Sequence, residues 1–146
     1  MYQKILYATD FDEVGYNAAK KAKQVAEKFS GTLYLVHVIE PFPAYAYPGF
    51  AGFTEVEAPL KEHAEREMEK LAEQLNVPRS QRYLEIGSTK SEILSVASEL
   101  DVDLIVAGSH DKHGLAFLLG STSNAISHGA NCDVLIVRDR RVSTIS

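Results

Sequence analysis

The stretch from Asp103 to Val137 limits the possible folds more than any other part of the chain. A continuous apolar run, Leu104 to Ala107, stops at Gly108; a Gly/Ser/His loop, a Gly120-Ser121-Thr122-Ser123 turn, a short predicted helix and a second apolar strand follow. A strand that is apolar without alternation is covered on both faces, as in parallel sheets flanked by helices. In such sheets ligands sit beyond the carboxyl ends of the strands. Glycine there lets the backbone approach a phosphate with no Cβ in the way, and Gly108 and Gly114 stand where that is needed. Gly120 to Ser123 opens the helix, whose free N–H groups and positive dipole end make a seat for an anion. The same residues also suit plain loop-and-cap chemistry, with Ser121 as N-cap. Spacing alone leaves both readings open.

The rest of the chain supplies what such a sheet needs. Lys4 to Thr9 reads as a buried first strand ending at Asp10, on the same rim as Gly108. Asp10 suits a ligand site and a helix N-terminus equally, since acids are favoured at both. A helix from Glu13 to Phe29 would bury Ala18, Ala22, Val25 and Phe29 and stop at Ser30-Gly31. Thr32 to Ile39 is the second strand; His37 interrupts its apolar run and reads as a hydrogen-bonded structural residue before it reads as a ligand. Leu60 to Leu75 is the clearest helix, with Leu60, Ala64, Met68, Leu71 and Leu75 on one stripe, Glu62 and Arg66 as an i,i+4 pair and His63 at the surface. Gln81 to Ile86, less apolar, predicts an edge strand. Gly87-Ser88-Thr89 leads into a helix carrying Ile93, Ala97 and Leu100. Strands alternating with amphipathic crossovers argue for a doubly wound parallel α/β sheet, and 146 residues for a single domain, residues 1–146.

Glu40 to Pro59 breaks the pattern. It holds Pro41, Pro43, Pro48 and Pro59 among Phe42, Tyr45, Tyr47, Phe50 and Phe53, which predicts a loop without regular structure. Leaving the carboxyl end of the second strand, it reads as a hydrophobic flap against the second helix or a partner subunit, or as a lid over a ligand.

Composition narrows the function. A formal charge of −5 and pI near 5.5 disfavour a nucleic-acid partner. One cysteine, Cys132, forms no internal disulfide. The chain enters a strand at once, and no apolar run nears about 18 residues, so the expectation is a cytoplasmic protein with no membrane insertion. The histidines His37, His63, His110, His113 and His128 are scattered. His110 and His113 suit a phosphate contact or an ordinary exposed loop. Ser109 beside His110 in sequence defines no nucleophile-base geometry. Without a catalytic set or metal motif, the chain reads as a binding module rather than an enzyme.

Gly108-Ser109-His110, Gly120-Ser121-Thr122 and the closing Cys132-Asp133-Val134-Leu135-Ile136-Val137 resemble the signature of the universal stress protein family. Ile5-Leu6-Tyr7-Ala8-Thr9-Asp10 and His37-Val38 extend the resemblance over nearly the whole chain. It implies a five-stranded sheet of order 3-2-1-4-5, related to the adenine-nucleotide alpha-hydrolase-like folds. It also implies an ATP-binding regulatory module of the stress response, with Mg²⁺ accompanying the nucleotide. Adenine and ribose would lie against Ala8, Thr9, Asp10 and Val38, and the phosphates against Gly108, Gly120, Ser121, Thr122 and Ser123, with Ala107 and Asp111 also among the residues of the nucleotide site. A homodimer through the last strand, Val134 to Val137, and an unknown protein partner are further implications.

The family's nucleotide-binding branch carries Gly-x-x-Gly ahead of its Gly-Ser/Thr. Here Asp111 occupies the second glycine position. A carboxylate about 4 Å from a phosphate charge costs about 4 kcal/mol at an effective dielectric of about 20. This leaves open a dimeric member that has lost the nucleotide and acts through protein interactions. A third class, an enzyme that cleaves or transfers an adenylyl group, lacks visible catalytic residues.

Overall fold

Five strands lie side by side in one sheet, ordered β3-β2-β1-β4-β5, in a computed structural model that describes residues 1–11, 16–41, 54–108 and 129–138. They are β1 (Lys4–Ala8), β2 (Thr32–Ile39), β3 (Arg82–Ile86), β4 (Leu104–Gly108) and β5 (Asp133–Val137). Every pairing is parallel. Among the described residues, the helices α1 (Tyr16–Lys28), α2 (Thr54–Leu75) and α3 (Thr89–Leu100) flank the sheet. Class and strand order agree with the sequence-based expectation.

The unbroken apolar runs have a direct cause, because successive side chains enter opposite cores. Ile5, Tyr7, Leu33, Leu35, Leu104 and Val106 pack with α1 and α2; Leu6, Ala8, Val36, Val38 and Ile105 pack with α3. Each fully buried Ile or Leu contributes about 1.5–3 kcal/mol. Against the sheet α1 sets Ala18, Ala19, Ala22 and Ala26, small enough for close approach. The central strands β1 and β4 are the most deeply buried, and the polar-flecked β3 is the edge strand expected of it.

Three expectations need correction. The segment Glu40 to Pro59 is not loop throughout, because α2 begins at Thr54 and contains Pro59. Near a helix start a proline forfeits one bond, here to the carbonyl of Glu55, while buried Ala64, Met68, Leu71, Ala72 and Leu75 hold the remainder. Residues 42–53 lie outside the described residues. Phe29 does not join the buried face of α1: the helix ends at Lys28, and Phe29 is 37% exposed with its ring edge-on to Tyr2, centroids 5.4 Å apart. Finally, among the described residues Glu62 and Arg66 form no ion pair, and the close i,i+4 contact on α2 sets His63 Nε2 3.9 Å from Glu67 Oε1. His63 is at the surface, as expected.

Ser30-Gly31 does stop α1. Ser30 takes a left-handed φ of 53°, and the Gly31 N–H donates to the Ala26 carbonyl at 2.7 Å. At the amino end of the sheet, Asp103 Oδ2 accepts the N–H groups of Gln3 and Lys4 at 2.9 and 2.8 Å. The Tyr2 hydroxyl donates to Asp133 Oδ2 at 2.7 Å. The start of the chain is thereby fastened beneath β4 and β5. Among the described residues no helix is long and apolar enough to cross a membrane.

Candidate functional site

The opposite, carboxyl end of the sheet gathers the expected site residues that are described. Register pairs Ala8 with Val36 on one side and Ala107 on the other, and Gly108 with Val137. Thr9 and Asp10 therefore leave β1 between the ends of β2 and β4. Val38 and Ala8 share the sheet face packed by α3, with Ala107 beside Leu94 and Val134. Asp111, Gly120, Ser121, Thr122 and Ser123 lie outside the described residues, as do Ser109, His110, His113, Gly114 and His128.

The corner after β1 is tightly specified. Thr9, only 8% exposed, donates its N–H to the Val36 carbonyl at 2.9 Å, and its Oγ1 accepts the Phe11 N–H at 2.9 Å. Phe11 takes φ 66°, uncommon for any residue with a side chain. Its ring lies on that of His37, centroids 4.1 Å apart and planes inclined at 33°. His37 Nδ1 is 2.7 Å from the Thr9 carbonyl oxygen. A carbonyl only accepts, so Nδ1 carries the proton and, in the neutral ring, Nε2 is the acceptor. Burial holds the His37 pKa below its ordinary value, against the opposing pull of the Thr9 carbonyl and the Asp10 carboxylate, while His63 adds a smaller push downward. The expectation of a hydrogen-bonded structural histidine agrees with this geometry.

Beneath the corner, Tyr7 is almost wholly buried; burial raises its pKa far above the ordinary phenol value, against a hydrogen bond with the Thr9 side chain. Asp10 is half-buried, with Oδ2 sealed from solvent. On the far side of β2, Glu40 Oε1 accepts the Thr89 N–H at 3.2 Å and the Thr89 hydroxyl. A carboxylate thus occupies the amino end of α3, whose N-cap Ser88 makes no side-chain cap bond. The protein fills that anion seat itself.

Sequence reasoning missed Phe11 and Glu40. Nothing about a phenylalanine signals a left-handed backbone, and the Glu40–Thr89 contact spans 49 positions. Chemically, the rim offers a carboxylate acceptor at Asp10 and a backbone without a Cβ at Gly108, while Ala8 and Val38 are buried in the core beneath it. Among the described residues no group of three His, Cys, Asp or Glu side chains could hold a metal ion.

Comparison with known proteins points one way. The model of the universal stress protein family matches residues 1–138. Universal stress protein A homolog 2 of Coxiella burnetii is 42% identical over 139 residues, 94% of this chain and 95% of the relative. Universal stress protein MJ0577 of Methanocaldococcus jannaschii is 30% identical over 155 residues, covering 94% of this chain and 96% of the relative. The solved MJ0577 structure superposes with a TM-score of 0.77 over 97% of this chain and 99% of that one. A universal stress protein in complex with cAMP, 22% identical, shares the fold at a TM-score of 0.64 over 94% and 98% of the two chains. With a family match over residues 1–138 and these relatives spanning nearly their full lengths, the chain belongs to the universal stress protein family.

Proposed function

We propose that this protein is an adenine-nucleotide-binding regulatory module that takes ATP with Mg²⁺ and acts in the cytoplasm as a single-domain homodimer, without catalysis of its own. The observation that carries this is the position of Asp10, which follows β1 with the end of β2 and its Val38 on one side and the end of β4 at Gly108 on the other, next to the point between β1 and β4 where the strand order reverses. In doubly wound sheets that point is where ligands bind. Adenine and ribose would lie over the strand ends that carry Ala8 and Val38, both buried side chains, and the Asp10 carboxylate would accept hydrogen bonds from ribose hydroxyls. Gly108, and in sequence Asp111 and Gly120 to Ser123, would border the phosphates. Nucleotide binding by a relative of this fold, the one in complex with cAMP, supports the class of ligand. Bound nucleotide would bias a protein partner's recognition of the module.

A second reading has its own observation, Asp111 at the position of a family glycine. On that reading the protein is a dimeric interaction module without nucleotide. Calorimetric titration of ATP with Mg²⁺ into the parent, Asp111→Gly and Gly120→Val distinguishes the two. Micromolar binding by the parent, tightening in Asp111→Gly and at least tenfold weakening in Gly120→Val are expected, because one change removes like charge and the other places a Cβ against phosphate. Tightening should be greater for ATP than for AMP. Absence of binding in all three supports the interaction module instead.

A further inference from the structure

The Thr9-Asp10-Phe11 corner is held by a side chain from the neighbouring strand. One step beyond the last registered pair of β1 and β2, Ala8 with Val36, the ladder gives way to His37 donating to the Thr9 carbonyl at 2.7 Å. The same imidazole stacks on Phe11, which turns back through φ 66° and donates its N–H to Thr9 Oγ1 at 2.9 Å. Thr9 and Phe11, the residues on either side of Asp10, are therefore both fixed by His37, one by a hydrogen bond and one by ring contact. Asp10 itself is half-buried. Its backbone is thus clamped from both sides.

We propose that His37 is a positioning residue for the ligand site: its Nδ1–H and ring face lock the corner that presents the Asp10 carboxylate. This rests on the reading of that rim as the nucleotide site, yet assigns His37 no ligand contact. Thr9 still donates its N–H to the Val36 carbonyl at 2.9 Å, while its own carbonyl is held by the His37 side chain, so loss of the Nδ1 donor frees that carbonyl and, with it, the direction of Asp10. A positioning role predicts that donor chemistry, rather than side-chain volume, governs affinity.

His37→Phe keeps an aromatic ring against Phe11 and removes the donor. His37→Asn places an amide N–H near the Nδ1 position and removes the ring. ATP with Mg²⁺ is titrated into the parent and both variants, each checked for an intact urea transition. Expected are a tenfold or greater loss of affinity in His37→Phe and recovery to within about threefold of the parent in His37→Asn, in line with the net worth of a hydrogen bond. Ring ¹⁵N spectra of the ligand-free parent should show Nδ1 protonated and Nε2 pyridine-like. A parent that binds ATP with affinity equal to that of His37→Phe overturns the inference alone, as does an Nε2-protonated ring. A parent that binds no ATP removes the functional reading, and this inference with it.

Discussion

At the scale of single residues, the two ends of β1 are held by different chemistry. His37 secures the carboxyl end through a neutral ring. Asp103 secures the amino end as an anion, with the Lys4 and Gln3 N–H groups lowering its pKa below the ordinary aspartate value. A carboxylate depressed in the folded state contributes stability that is complete above its unfolded pKa, about 3.9, and is lost as pH falls through the lower folded value. Asp103→Ala should therefore be less stable than the parent at neutral pH, with the gap closing as thermal midpoints are followed down to about pH 2. A gap that stays constant to the acid end would show that the charge plays no part. Residues of this kind are only partly legible in a sequence. Asp10 and His37 stood out as polar groups at or inside apolar strands, whereas Phe11 gave no hint of its backbone, because its φ is imposed by Thr9 and His37 rather than by its own preference.

Among the elements, the strands and the start of α3 after Ser88 were legible, and the start of α2 was not. The runs at Ile5 to Ala8 and Leu104 to Ala107 are apolar because two cores need them, and that requirement is written into every position. Pro59 misled because proline reports a local cost, while the start of α2 depends on burial further along the helix. The turn out of α1 permits a sharp pair of tests. A Cβ on Gly31 would lie 2.5 Å from the Tyr2 carbonyl oxygen and 3.1 Å from that of Gln3, both backbone atoms that cannot swing aside. Gly31→Ala should cost about 1–3 kcal/mol or more, read from urea midpoints. Ser30→Gly, one residue earlier at φ 53°, should instead gain about 0.5–1 kcal/mol, since it relieves a left-handed residue of its Cβ. Equal effects at both positions would contradict this account of the turn.

For the molecule as a whole, the sheet formed by the described residues has two edges of different character. β3 is short and polar-flecked, whereas β5 offers Val134 to Val137, partly exposed and apolar, with pairing to β4 on one side only. An apolar edge of this kind favours self-pairing, and we expect sedimentation equilibrium at micromolar concentration to give twice the chain mass; a strictly monomeric mass would refute the dimer. The placement of β1 carries a consequence for how the protein is made. Of these five strands β1 is synthesised before the others, and it occupies the centre of the finished sheet, between β2 and β4. Its β2 side can close early, but its other side waits for Leu104 to Gly108. At about 5–20 residues per second that wait lasts about 5–20 s, during which a largely apolar strand edge is open to any neighbouring nascent chain. The growing polypeptide is therefore most exposed to aggregation, and most in need of a chaperone, between synthesis of its second strand and its fourth.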